Sequence, residues 1–409
     1  MRHPLCPQFG TCGGCTAQHI EYCIQLENKK KALAHALGKA SFLDKTFSEN
    51  NIKLFSGNEF YYRNRMDFLF HSNNTNFHLN DTGSNGIIGI GLRKKDDYKK
   101  IIDVEKCVIS NKKLNELLTE IRSFFMGKER NKPVDIFNVN RDIFNMNTRT
   151  GTLRYVVIRA PQNDSSISFV LNPDSKRINE TLEQIKEFAK ITSANNVLVA
   201  YVPSQADVSI SDDFFVVKGT DMLKETYLGK TFFYHSQGFF QNNSEMAEKM
   251  HEYCLNLLTS YSQYTKPAHL LDLYGGVGTF GIINADLFKG VTIVESVKQC
   301  IDAADKNIVA NKIKNAKAVV LDAINLKKLK LPEPLFVITD PPRSGMDMKT
   351  IEQLKILKPK LILYVSCNVQ QLAKDIPKFK QYKIKSAALF DLFPQTVHSE
   401  AVVELVRTV

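Results

Sequence analysis

The 409-residue chain reads as an α/β protein: a doubly wound, mostly parallel sheet in its second half, preceded by an α+β domain. Three observations carry this. From about residue 228 onward, short continuous apolar runs alternate with helical stretches, as buried parallel strands and their crossovers do. Between about 52 and 225 the runs alternate apolar with polar and are separated by Asn, Asp, Gly and Ser, the pattern of antiparallel strands. Before both lies a Cys- and Gly-rich segment with little secondary-structure signal.

Taken in order, residues 1–24 form the cysteine segment. Residues 21–40 predict an amphipathic helix ending at Gly38, within a 25–50 stretch expected to pack on the C-terminal domain; Lys29, Lys30 and Lys31 read as its solvated face. The central domain is expected over 51–227, with MDFLFHS, IIGIGLRK, LRYVVIRA and SISFVLNP as strands and helices at 111–126 and 178–190. In the C-terminal domain, 228–409, a helix at 244–260 precedes the strands HLLDLY, VTIVES, AKAVVLD, PLFVITD and LILYVSC. Helices are expected near 297–311, 348–355 and 370–379. The closing runs IKSAALFDLF and HSEAVVELVRTV suggest a hairpin that puts one antiparallel strand into the parallel sheet.

Hydrophobic residues at 43% and charged residues at 24% place the chain among ordinary globular proteins. No apolar run is long enough for a membrane span and no signal segment opens the chain, so a cytoplasmic protein without a membrane partner, and a monomer, are expected. The net charge of +11 and a pI near 9.1 favour a polyanionic partner. The eight cysteines do not form a dense disulfide framework. Cys6, Cys12 and Cys15 cluster closely, with Cys107 as a candidate fourth, and four thiolates suit zinc and an iron–sulfur cluster about equally.

Residues Leu270 to Phe280 run from a strand through Tyr274-Gly275-Gly276-Val277-Gly278 into a helix. Glycines there let a ligand approach the backbone, and Glu295 closes the next strand where a carboxylate can take two ribose hydroxyls. The turn is not GxGxxG, so a nucleoside cofactor such as S-adenosylmethionine (SAM) fits better than a dinucleotide. Asp322 closes the following strand, where it could reach an adenine or simply cap a helix. Asp340, Pro341, Pro342 and Arg343 end a further strand at the ligand-binding edge, where Asp340 can accept from a proton-bearing group, such as a uracil N3–H, or simply end the strand in an Asp-Pro turn. Cys367 ends the next strand in a polar turn, a placement that suits a nucleophile better than core. His398 and Glu400 precede the last strand; alone they read as a surface turn.

In order along the chain stand CPQFGTCGGCTAQH, YRNR at 62–65, IIDVEKC at 101–107, GFFQNN at 238–243, LDLYGGVGTFG, DPPRSG, YVSCN and FPQTVHSE. This ordered set resembles the RNA uracil-5-methyltransferase family over almost the whole chain. The resemblance implies a Rossmann-like SAM methyltransferase domain beside a central α+β RNA-binding domain and an N-terminal iron–sulfur segment. It implies Cys367 as the thiolate that adds to uracil C6 and Glu400 as the base that removes the C5 proton. It implies cofactor contacts at Gln241, Tyr274, Glu295, Asp340 and Asp322, and a [4Fe–4S] cluster on Cys6, Cys12, Cys15 and Cys107. The sequence departs from the family at Gln395, where His is usual, and at Asn242, where Thr is usual.

A cytosine-5-methyltransferase would place Cys where this chain has Arg343, and an amino-methyltransferase would favour an NPPY motif, which is absent. A rival of another class is a non-catalytic RNA-binding protein with a metal-stabilised head. Many family members begin with a small RNA-binding β-barrel; this chain starts almost directly at Cys6, and the short form resembles enzymes acting on large-subunit rRNA. A 23S-type rRNA loop is therefore the favoured target, with the tRNA T-loop as the alternative. RNA contacts are expected from Arg63, Arg65, Arg93, Lys94, Lys95, Arg154 and Arg159.

Overall fold

The computed structural model describes residues 2–40, 49–72, 88–126 and 142–408. Helix α1 (Tyr22–Ala40) runs two residues past the stop expected at Gly38, and the rest of the 25–50 stretch lies partly outside the described residues. Strand β1 (Ile52–Phe55) follows.

One unit comprises residues 2–19 and 59–223. Its seven-stranded sheet is built from β2 (Arg65–Ser72), β3 (Ile88–Lys94), β4 (Asp97–Asp103), β5 (Leu153–Arg159), β6 (Ser166–Leu171), β7 (Asn196–Tyr201) and β8 (Phe214–Lys218). The order is β4-β3-β2-β5-β6-β7-β8, antiparallel except for the β6–β7 pair. Helices α2 (Lys112–Met126) and α3 (Ile178–Ile191) bury Leu114, Leu118, Ile121, Phe125, Ile185 and Phe188 against it. Their apolar residues recur at helical spacing, so one stripe of each faces the sheet.

The other unit comprises residues 20–58 and 224–409. The units divide after 58 and after 223, where boundaries after 50 and after 227 were expected, and residues 2–19 belong with the central strands. Strands β9 (Met222–Tyr227) and β10 (Lys230–His235) form a two-stranded ribbon. Then come α4 (Ser244–Thr259), α5 (Ser262–Thr265), β11 (His269–Leu273), α6 (Thr279–Ile283), β12 (Gly290–Glu295), α7 (Lys298–Ala310), β13 (Ala316–Val320) and β14 (Leu335–Thr339). The chain closes with α8 (Met348–Leu357), β15 (Leu361–Ser366), α9 (Val369–Asp375), β16 (Tyr382–Phe390) and β17 (Glu400–Arg407). Helix α9 stops short of the expected 379 because Pro377 cannot donate to a continuing α-helix, and a 3-10 turn replaces it.

The sheet order is β1-β16-β17-β15-β14-β11-β12-β13. Only β17 runs antiparallel, as the closing hairpin implied. Strand β1, expected in the central domain, instead pairs in parallel with β16, Ile52 opposite Ala387. The order reverses between β11 and β14, so the turns after these two strands face one crevice, the usual ligand site of such sheets.

Candidate active site

Strand β11 is buried throughout and delivers the glycine turn to this crevice. A Cβ on Gly275 would lie 2.6 Å from Ile293 of β12, and one on Gly278, at φ +86°, would lie 2.9 Å from the same side chain. These two glycines let the turn pack flat on β12. Glu295 at the end of β12 then accepts from the Gly276 N–H at 3.3 Å and from the Ser296 and Val297 N–H groups at 2.7 and 3.0 Å. The carboxylate is thereby held at the lip of the turn, where two ribose hydroxyls can reach it. Tyr274 takes the left-handed conformation, φ +60°, and is half-buried. Asp322 is exposed and accepts from the Ile324 N–H at 3.0 Å, capping the 3-10 turn that follows.

Gln241 arrives from the segment before α4. Phe240 is buried in a stack with Tyr234, ring centroids 4.0 Å apart, and with Tyr227 at 5.7 Å. This anchor leaves Phe239 72% exposed and sets Gln241 beside it. Asn243 caps α4 by accepting from Met246 N–H, and its Nδ2 donates to the Leu392 carbonyl at 3.1 Å.

The second turn, after β14, carries Asp340 to Gly345. It is tied to the turn after β15 by Asn368 Nδ2, which donates to the Arg343 carbonyl at 3.0 Å. Below both, buried Asp375 accepts from Tyr364 Oη at 2.7 Å, Met346 N–H at 3.1 Å, Gln371 Nε2 at 3.1 Å and Lys378 Nζ at 2.8 Å. Cys367, half-buried, follows β15. Burial pushes its thiol up to about 11, the nearby Glu400 and Asp340 charges add to this, and a hydrogen bond and charge from Arg343 oppose it. Glu400 opens β17 opposite Phe390 and is buried; burial and then the Asp340 charge hold its carboxyl well above the usual range, against Arg343. Asp340 keeps part of its surface open, yet the enclosing protein raises its carboxyl to about 7. His398 is exposed, its Nδ1 3.4 Å from Arg343 Nη2. The crevice thus gathers a thiol, two carboxyls that resist ionising together, and one guanidinium. Of these Arg343 was placed at the ligand-binding edge by the sequence, in DPPR, but given no role there.

Asp272 on β11 was not singled out. It is buried, and its Oδ2 accepts from the Gly281 N–H at 2.7 Å, fixing α6 behind the turn. Burial raises its carboxyl to about 7 despite that bond, with the Asp340 and Glu295 charges adding. The folded state therefore keeps a proton that the unfolded chain has released between about pH 4 and 7, and stability falls as pH rises through this window. Asp272→Asn should remove the loss. Urea unfolding should show the variant more stable than wild type at pH 8, by up to about 4 kcal/mol, with the gap vanishing by pH 4.

In the other unit, Cys6, Cys12, Cys15 and Cys107 line one cavity of about 30 Å³ together with Met66, Leu92 and Val104. The loop of Cys107 is pinned by Asn115 of α2, which accepts from Cys107 N–H at 2.8 Å and donates to its carbonyl at 3.0 Å. Gly14 N–H donates to Cys12 Sγ at 3.3 Å. Burial raises the thiols of Cys6, Cys12 and Cys15, the last to about 12, and the charges of neighbouring cysteines add to each shift. Among the described residues no three His, Cys, Asp or Glu side chains are grouped so as to hold a metal ion. No described helix is long and apolar enough to cross a membrane.

Several cations proposed for RNA contact are spent internally. Arg154 is buried and donates to the Val202 and Pro203 carbonyls at 2.7 Å each and to that of Ala206. Arg159 is buried on β5. Arg65 pairs bidentately with Asp67, and Arg93 with Asp207. Arg63 Nε donates to the Arg65 carbonyl at 2.9 Å. Lys95 stands exposed and Lys94 is half-buried.

An open parallel sheet with a glycine turn, a ribose-competent glutamate and a reactive edge at its switch point defines a Rossmann-like nucleoside-cofactor enzyme. Comparison with known proteins narrows this. A family model described as tRNA (Uracil-5-)-methyltransferase matches residues 176–408. An RNA methyltransferase of Caldanaerobacter subterraneus subsp. tengcongensis is 31% identical over 405 residues, 97% of this chain and 83% of that protein. The tRNA (uracil(54)-C(5))-methyltransferase of Pyrococcus abyssi is 29% identical over 98% of this chain and 86% of its own. The crystal structure of that Pyrococcus abyssi enzyme with S-adenosyl-L-homocysteine superposes with a TM-score of 0.72 at 27% identity, covering 97% of this chain and 86% of the other. The chain belongs to the tRNA (uracil-5-)-methyltransferase family and is a SAM-dependent RNA (uracil-5-)-methyltransferase.

Proposed function

We propose that the enzyme methylates a loop uridine through a covalent adduct on Cys367, and the observation that carries this is one crevice holding Cys367, Arg343, Asp340 and Glu400. Carbon 5 of uracil is a weak nucleophile. Cys367 Sγ, as the thiolate stabilised by Arg343, adds to C6 and sends the electron pair of the C5–C6 double bond onto O4 as an enolate. SAM supplies the methyl group that C5 then attacks. Glu400 takes the C5 proton, and the returning electron pair expels the Cys367 thiolate and restores the ring. Glu400 must be ionised for this step; the neighbouring Asp340 charge opposes that ionisation and the Arg343 guanidinium favours it. Glu295 would hold the ribose of SAM, with Gln241, Tyr274 and Asp340 as its further contacts; Asp322, already committed to its cap, is the weakest of the set. The unit of residues 224–409 carries the chemistry, and the central unit the RNA grip, chiefly through Lys94, Lys95 and the outer faces of Arg63 and Arg65.

For the RNA, two relatives, of Pyrococcus abyssi and Pyrococcus horikoshii, are named tRNA (uracil(54)-C(5))-methyltransferase. A tRNA T-loop uridine is therefore the target we put first, ahead of the 23S-type rRNA loop favoured from sequence. Either base must leave its stack to reach Cys367. With tritiated SAM, unmodified tRNA transcript should be labelled at one uridine and protein-free 23S rRNA should not. The reverse result assigns the enzyme to rRNA.

We propose further that the four cysteines, which line one cavity, hold a [4Fe–4S] cluster. Burial raises the thiols of Cys6, Cys12 and Cys15, so a cation bound there would displace their protons, and the wall of the cavity they share with Cys107 is apolar with a backbone N–H aimed at Cys12 sulfur. Cys6, Cys12, Cys15 and Cys107 would hold the cluster, which would brace the N-terminal segment on β3 and take no part in methyl transfer. Protein purified without air should be brown with about four irons per chain, and Cys107→Ser should lose the colour. Stoichiometric zinc in a colourless protein would overturn the cluster.

A further inference from the structure

The geometry points to Gln25 and Lys29 of α1 as positioning residues for the catalytic base, acting through the nine-residue strap 391–399 that joins β16 to β17. This deepens the covalent mechanism above and rests on its assignment of Glu400.

Helix α1 presents one straight ridge at i, i+4 spacing: Gln25, Lys29, Leu33 and Leu37, all buried. Its lower half is ordinary core, packed with Leu372 and Ile376. Its upper half is polar where an amphipathic helix would continue apolar, so the change needs a cause. The strap supplies it. Lys29 Nζ donates to Asp391 Oδ1 at 2.6 Å and to the Phe393 carbonyl at 3.1 Å, with both side chains of the ion pair buried. Gln25 Nε2 donates to Gln395 Oε1 at 3.0 Å, and Gln395 N–H donates back to Gln25 Oε1 at 3.1 Å. Gln395 sits at φ +66°, a left-handed conformation that a glutamine keeps only where its surroundings dictate it.

A buried ion pair stabilises a fold little compared with apolar packing, but it defines a geometry. Here the geometry belongs to the strap, whose far end carries His398, in reach of Arg343, and then Glu400. Glu400 is buried as the first residue of its strand, so the approach of the strap sets the direction of its carboxylate. Asn243, two residues after Gln241, holds the near end through the Leu392 carbonyl, seven residues before Ser399. Loosening the α1 ridge should therefore slow the step that needs Glu400 and spare SAM binding and adduct formation.

The test uses the full-length enzyme, its substrate RNA and radiolabelled SAM. SAM affinity is read by calorimetry, and adduct formation and decay on denaturing gels after a single turnover. In Lys29→Met and Gln25→Met, adduct decay should slow at least fivefold while SAM affinity and adduct formation stay within twofold of wild type. Lys29→Arg should restore decay. If Lys29→Met is insoluble, Gln25→Met, which removes no charge, decides. Decay slowed less than fivefold in the soluble variants, or slowed in step with lost SAM affinity and adduct formation, overturns the proposal. Glu400→Gln separates the two readings. If it stalls while the α1 variants do not, the strap proposal alone fails; if its adduct decays like wild type, the assignment of Glu400 fails and the strap proposal with it.

Discussion

Cys367→Ala abolishes methyl transfer while SAM binding stays within a few-fold of wild type. Without the thiolate, C5 of uracil has no enolate behind it and the methyl group has no competent acceptor. The cofactor turn lies on β11 and β12, whereas Cys367 follows β15, so removing one sulfur leaves the Gly276 to Glu295 bond intact. Wild-type activity should climb with pH, since burial places the thiol near 11 and Arg343 only partly offsets this. A radiolabelled transfer assay beside calorimetry checks both statements. A variant that keeps a tenth of the wild-type rate, about 1.4 kcal/mol of the barrier, rules out Cys367 as the nucleophile.

Glu400→Gln methylates once and stalls. The amide preserves shape and burial but cannot take the C5 proton, so the thiolate cannot leave. One methyl group per active site should be incorporated, followed by turnover slower by about 10²–10⁴, the usual worth of a general base. A denaturing gel should show the labelled RNA–protein adduct. Multiple turnovers near the wild-type rate with no adduct would transfer the role of base to another group.

The parts of the site legible in the sequence are those written locally. A strand, a glycine turn and an acid 20 residues beyond Gly275 are short-range features, and they place Glu295 at the lip of the turn without any knowledge of the fold. Cys367 at the end of an apolar run is legible for the same reason. The parts that were not legible depend on what a side chain meets from elsewhere in the chain. Lys29 stands in a run of three lysines, which reads as a solvated face, yet it alone of the three meets Asp391 across 362 residues and is buried. Arg154 and Arg159 read as basic surface on an alternating strand, but that strand is buried throughout, and Arg154 is turned into a donor to the carbonyls of Val202 and Pro203.

Strand type, helix period, the two sheet classes and the family motifs follow from the sequence alone, because φ/ψ preference and hydrophobic period are set over a few residues. The tertiary structure alone decided that Ile52–Phe55 joins the C-terminal sheet rather than the central one, since four apolar residues pair equally well with any open edge until β16 offers one. It alone turned the polar ridge of α1 onto the strap before Glu400. These are pairings between distant segments, and their free energy comes from burial and desolvation that exist only once the chain has closed.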